Sequence, residues 1–371
     1  MTIRIATFNA ENLLSRFDFS GFRNDLWKDR ALTLFDIRDE AQYQRLEAAR
    51  AVATADDVRQ QTALAIADTQ ADLVCLQEVE DKAALDAFEF GYLFKMIGQG
   101  YREKQVSRGN DGRGIDVGVM FRNETAVGDP IELVRVESHA VLSYDDLGVY
   151  DPSLKSRDLA PTDRVFKRDC LELHYRVGGR PLTVFVVHFK SMGGWRDGMP
   201  GREYTMPIRI AEAKAVRKIV ERAFDGAPAD RMNWVICGDF NDYRERVVVE
   251  GGSRGPFRFR VETEQVHTSL DVLLSGGFSI NAMERRDPLD RWTLFHSRGP
   301  DERHLCQLDY ILLSPKLAHD NPQAVPDIVR GGQPFRVIAP DGQIPERYPR
   351  IGWDRPKASD HCPVAITLNI R

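Results

Sequence analysis

The sequence has no apolar run approaching the roughly 20 residues that a helix needs to cross a bilayer, so a membrane-spanning helix is not expected. Cysteine is scarce. The five residues, Cys75, Cys170, Cys237, Cys306 and Cys362, are odd in number and scattered beside apolar runs. No two of them have zinc-ligand spacing, and buried free thiols are common in such settings, so neither a disulfide framework nor a structural zinc is expected. The start MTIRIATFNA lacks the basic and apolar segments of a secretory leader. With the free thiols, this sets the expectation of a cytoplasmic protein without stable membrane association. A large charge excess is missing too: the formal net charge is -5, which argues against coating nucleic acid by bulk electrostatics. It leaves room for a local basic surface beside a metal. Internal repeats and low-complexity tracts are absent, and nothing implies a protein partner.

What is present is a foldable core. With 42% hydrophobic and 29% charged residues, the chain can bury a sizeable interior, and one large two-sheet domain spanning 1–371 accommodates its length. Short strand-like runs recur at 3–8, 73–76, 115–121, 170–177, 182–189, 234–237, 308–313 and 363–370. Helical patterning fills much of 39–69. A second helix is expected after residue 206, with Pro207 in its first turn and Gly226 and Pro228 ending it. A polar loop, expected to be mobile, covers 143–162, and the Pro- and Gly-dotted stretch 321–356 reads mostly as loop. The layout is mixed α/β with much of its sheet joined by hairpins.

The polar residues that look out of place share one location, at or just past the end of an apolar strand. Asn9 follows the first run and Glu78 the second; Asp239 and Asn241 follow 234–237; Asp360 and His361 precede the last. Strand ends gathered at one sheet edge bring such groups together, which points to one convergent site. Carboxylates and an amide are hard oxygen ligands, so the set suits magnesium, with manganese possible, better than zinc. Each residue taken singly reads more readily as a turn cap or a satisfied polar group, and only the set together points to a site.

The pair Gly178 and Gly179 between alternating runs signals a two-residue hairpin turn. Val177 then faces Arg180, and counting outward sets Asp169 opposite His188. An acid there would favour the charged imidazole and fix its orientation.

In order, TFNAENL, LQEVE, VVHFKS, GDFND, LDYILLS and SDHCPV resemble the motifs of the endonuclease/exonuclease/phosphatase superfamily, and the resemblance covers nearly the whole chain. It implies an α+β fold, a four-layer α/β/β/α sandwich of two packed mixed β-sheets with helices outside and one active site at one end of the sheets. Carried over by position, Asn9 and Glu78 are similar to the family's metal and phosphate ligands, and Asp360 to a further metal-side carboxylate. Asp239 and Asn241 resemble the pair that orients the attacking water and the scissile phosphate, and Asp309 the buttress of His361. FKRDC resembles the segment that supplies Asp169 to His188. Lys190 and Ser191 contact phosphate or point to solvent; Asp116 is a site neighbour or a solvated strand start.

The chemistry implied is in-line attack of water on phosphorus in a magnesium-dependent phosphodiesterase, first of all a nuclease with DNA or RNA as substrate. Arginines at 244, 246, 254, 258 and 260, and basic residues at 102, 104, 108 and 113, are read as loops that bind successive phosphates or as ordinary solvated charges. Trp195 is placed against a base or over the core. A phosphomonoesterase or a phospholipid phosphodiesterase on the same scaffold is the alternative activity, and a non-catalytic binding protein the alternative class.

Overall fold

Short apolar runs dictate most of the structure, because a strand covered on both faces carries buried side chains at nearly every position. The computed structural model describes residues 1–13, 38–252, 255–299, 302–344 and 346–371. In chain order the strands are β1 (Thr2–Leu13), β2 (Leu73–Val79), β3 (Glu103–Ser107), β4 (Asp116–Phe121), β5 (Ile131–Ser138), β6 (Cys170–Val177), β7 (Arg180–His188), β8 (Trp234–Asp239), β9 (Glu245–Gly252), β10 (Gly255–Thr263), β11 (Ile280–Asn281), β12 (Leu294–Ser297), β13 (Arg303–Cys306), β14 (Asp309–Leu313), β15 (Asp327–Ile328) and β16 (Val364–Asn369).

Two six-stranded sheets, ordered β15-β16-β1-β2-β4-β3 and β11-β14-β8-β7-β6-β5, form the centre. Each is mixed, with β1 parallel to β2 and β7 parallel to β8. Their facing sides contribute Ile3, Ile5, Cys75 and Val119 from one sheet and Leu173, Val184, Val235 and Cys237 from the other to a single buried cluster. The opposite faces are covered by helices. Ala63 and Ile66 of the helix Glu40–Thr69 pack on Phe8, Val74 and Leu76. Ile208, Ala215 and Ile219 of the helix Gly201–Arg222 pack on Phe185, Val187 and Ile236. The result is the α/β/β/α sandwich. All five cysteines are free and buried.

The second helix starts six residues before Pro207 rather than at it, because Tyr204 already donates its backbone N–H to the Pro200 carbonyl at 3.0 Å. Pro207 therefore lies inside the helix and forfeits one ladder bond, to the carbonyl of the exposed Glu203. The polar segment 143–162 holds a helical turn, Tyr144–Leu147, opened by a capping box between Ser143 and Asp146, and a 3₁₀ turn, Pro152–Arg157. In 321–356, by contrast, β15 is the one strand among the described residues.

A third sheet, β10-β9-β13-β12, was not foreseen. Its strands Glu245–Gly252 and Gly255–Thr263 pair as a hairpin, so the stretch after GDFND is not a basic loop. The reason is local: RVVVE is a β-branched run and FRFRVE alternates with strand period, and Gly251 and Gly252 stand at positive φ where the chain turns.

On β6, buried Glu172 accepts hydrogen bonds from Arg135 at 2.9 Å, His139 Nε2 at 2.9 Å and His174 Nε2. Burial alone would raise its carboxyl, but the bonds from His139 and His174 win and bring it down to about 2. The folded value lies below the ordinary 4.5, so this stabilisation is complete above about pH 4.5 and is lost as pH falls toward 2. Glu172→Gln is expected to cost about 1–3 kcal/mol at pH 7. Urea unfolding at pH 7 and pH 3 checks this: the deficit relative to the native sequence shrinks at the lower pH.

Candidate active site

Strand direction gathers the polar residues. The C-terminal ends of β1, β2, β7 and β8 and the starts of β14 and β16, which run antiparallel to β8 and β1, all fall at one end of the sandwich. In the second sheet His188, Asp239 and Asp309 are direct cross-strand neighbours. Asn9, Glu78, His188, Ser191, Asp239, Asn241, Asp360 and His361 line one cleft of about 620 Å³.

Asp239 is the hub. Its Oδ2 accepts from Asn9 Nδ2 and Asn241 Nδ2, each at 3.0 Å, and its Oδ1 from the Asn241 backbone N–H at 2.8 Å. His188 Nε2 stands 3.6 Å and His361 Nε2 3.8 Å from the same Oδ2. Burial pushes the Asp239 carboxyl up to about 7, against the pull of His361 and with the push of Asp309. Asn241 takes a left-handed backbone, φ 48°, which turns its amide back onto Asp239 and the Phe189 carbonyl. Glu78 shares this feature at φ 64°, where β2 is bulged between Gln77 and Val79. The bulge aims the carboxylate into the cleft, and the Asn12 N–H and the Asn9 amide hold it at 3.0 and 3.5 Å.

The two histidines differ. His361 Nδ1 is 2.9 Å from Asp309 Oδ2; burial opposes its charge, but Asp309, Asp239 and Asp360 outweigh that and raise it well above the usual imidazole value. His188 is held well below that value by burial and by Arg168 and His361. Its Nδ1 is buried without a hydrogen-bond partner.

The expected Asp169–His188 contact does not form. The hairpin register holds as counted, from Val177 opposite Arg180 to Cys170 opposite Val187. The Asp169 carboxylate, however, is taken by the Ser107 hydroxyl and by the His139 N–H at 2.8 Å. These donors come from β3 and from the exit of β5, outside the hairpin. Asp169 is therefore outside the cleft, and His188 is not charged by it. Lys190 is also outside the lining: its N–H donates to Glu212 at 2.7 Å and its Nζ reaches Ser191 Oγ at 3.4 Å. Asp116 accepts from the Gly109 N–H at 2.8 Å and so pins the loop before β4. Trp195 is 69% exposed and covers no core.

Three of the arginines after GDFND are matched by nearby acids. Arg246 pairs with Glu262 at 3.0 Å, Arg260 with Glu262 at 2.7 Å, and Arg244 with Asp271 at 3.1 Å. Arg254 lies outside the described residues. In the other basic group Lys104 is buried against Asp86 and Glu89.

For a cation, the available donors are the oxygens of Glu78, Asp360 and Asn9, with no thiolate nearby. Glu78 is pushed up by burial and then by the charge of Asp360, a crowding that a divalent ion would relieve. Among the described residues no three His, Cys, Asp or Glu side chains stand at mutual ligating spacing.

Beyond the strand-end residues the cleft is lined by Tyr243, Arg246, His296, Arg298, Glu302 and His304 of the third sheet and its approaches, all but Arg246 missed in the sequence. Its available signal was two histidines, three residues before and four residues after a Gly-Pro pair at 299–300. Another missed residue, Glu11, accepts from the Asp360 N–H at 2.8 Å and pairs with Lys357 at 2.9 Å and Arg355 at 2.7 Å.

A sequence profile of the Endonuclease/Exonuclease/phosphatase family matches residues 6–361. No curated protein matches the chain in sequence. The human Nocturnin catalytic domain, solved with a bound sulfate anion, is similar in fold at TM-score 0.50 and 14% identity, over 100% of this chain and 95% of that one. A mannosyl-6-phosphatase of Bacteroides thetaiotaomicron superposes at TM-score 0.51 and 13% identity over 99% of each chain. TDP2 from C. elegans does so at 0.50 and 13%, over 99% of this chain and 75% of that one.

Proposed function

The chain belongs to the endonuclease/exonuclease/phosphatase family, and from that premise we propose that it is a magnesium-dependent phosphodiesterase acting on nucleic acid or a nucleotide-type diester. The observation that carries this reading is the Asp239 carboxylate, fixed by Asn9 and Asn241 between two imidazoles at the mouth of an oxygen-rich cleft.

Glu78 and Asp360, with the Asn9 carbonyl, would hold the ion, which supplies charge neutralisation for the phosphoryl oxygens when bound. Asp239 orients the attacking water and takes its proton, and the Asn241 amide keeps the carboxylate in line. His361, clamped by Asp309, donates to a phosphoryl or leaving oxygen. His188, whose ring is neutral and buried, supplies a second N–H to the same region.

A phosphomonoesterase is the second reading, favoured by one observation: Arg246 and Arg260 of the β9–β10 hairpin are paired with acids, which weakens the case for a track of successive phosphates. The purified protein assayed on plasmid DNA, RNA, bis(p-nitrophenyl) phosphate and p-nitrophenyl phosphate separates the two. Chelation by EDTA is expected to remove all turnover and magnesium or manganese to restore it, with the diesters preferred. Turnover of the monoester alone would overturn the diesterase reading, and full activity in EDTA the metal-dependent one.

A further inference from the structure

The third sheet adds a wall to the cleft that none of the strand-end motifs requires. His296 on β12 and His304 on β13 are cross-strand partners, and their rings stack with centroids 4.8 Å apart and planes inclined by 31°. Behind them Tyr243 lies 5.7 Å from the His304 ring. His304 and Tyr243 are buried, whereas the His296 side chain keeps 30% exposure on the cleft side. Arg298 and Glu302 flank it, joined at 3.7 Å, and Glu302 also holds His296 Nε2 at 3.2 Å.

These groups share the cleft with Asp239 and His361, and the isolated bridge between Leu294 and His361 ties β12 to the turn that carries the catalytic imidazole. We propose that this wall is a nucleoside subsite, in which a base carried by the phosphoester stacks on His296 and bonds its edge to Arg298 and Glu302. This assignment rests on the phosphodiesterase reading. Three features support it. A flat ring left partly exposed in the cleft, with two further rings packed in series behind it, offers a platform on which bases stack without needing a particular sequence. Burial, with His296 and the nearby arginines Arg246, Arg202 and Arg298, brings the His304 ring down to about 3, so the platform's inner ring is uncharged. The rim carries one donor fork and one acceptor, whereas an acyl chain would call for an apolar wall.

The test compares p-nitrophenyl thymidine 5′-phosphate with p-nitrophenyl methyl phosphate, which present the same chromogenic diester with and without a nucleoside. For the native protein with magnesium, kcat/KM is expected to favour the nucleoside ester. In His296→Ala the ratio of the two values falls about tenfold or more, chiefly through KM; in Arg298→Ala it falls less. Both residues are partly exposed, so loss of fold is not the expected outcome, and circular dichroism verifies it. An unchanged ratio in folded His296→Ala overturns the subsite while leaving the phosphodiesterase standing. Turnover of neither ester by the native protein overturns the phosphodiesterase reading itself. A larger loss on a p-nitrophenyl ester of glucose 6-phosphate than on the thymidine ester would overturn the base as occupant in favour of a sugar.

Discussion

Asp239→Asn is expected to lower kcat by about a thousandfold or more while leaving the fold in place. The carboxylate accepts from Asn9 and Asn241 on one side and faces His188 and His361 on the other. An amide keeps its shape but cannot take a proton from water. It also sets an NH₂ group against donors already aimed at Oδ1 or Oδ2. Stability responds in two opposing ways: a hydrogen bond is lost, and a buried charge whose ionic partners are only imidazoles is removed. The two are of similar size, so the melting temperature followed by circular dichroism should move by only a few degrees, roughly. Wild-type turnover by the folded variant would remove Asp239 from the reaction. A collapsed melting transition would make its role structural.

Gly238→Ala should have the largest effect on folding. Gly238 stands at φ +155° on β8, and a Cβ there would lie 1.9 Å from the Val187 carbonyl oxygen of β7, a backbone atom that cannot rotate away. These two strands are central and parallel, with Val187 opposite Gly238 and His188 opposite Asp239. The methyl must part them at the point that sets His188 beside Asp239. A loss of about 4 kcal/mol or more, or failure to accumulate as soluble protein, is expected. Gly179→Ala is the control: its φ is +81° but a Cβ there meets nothing within 4 Å. Only the conformational penalty of roughly 1–2 kcal/mol then applies. Equal urea midpoints for the two variants would show that the Val187 contact is relieved cheaply.

Much of the architecture was legible because short apolar runs bounded by polar residues are a local signal. The hairpin register could be counted from Gly178 and Gly179 since a tight turn fixes every later pair. The same count misplaced the Asp169 side chain, because its donors, Ser107 and the His139 N–H, arrive from segments 62 and 30 residues away. No spacing rule reports such partners. The strand-end polar residues were legible as a set, for apolar runs stop where their backbone reaches the cleft. The left-handed backbones of Glu78 and Asn241 were not, since neither residue type demands that conformation. The third sheet escaped notice for a different reason. Two of its strands, β12 and β13, have four residues each, too short for alternation to stand out, and the arginines of β9 and β10 suggested solvated loops.

The order in which the cleft's parts leave the ribosome follows from the pairing of β1 with β16. The first strand supplies Asn9 and the turn into the last supplies His361, and the strands are hydrogen-bonded neighbours in one sheet. Until β16 has been made, β1 has an open edge and His361 is missing from the cleft. The sheet that carries Asn9 therefore completes its pairing late in synthesis, after the segment that brings His361 into the cleft has been made.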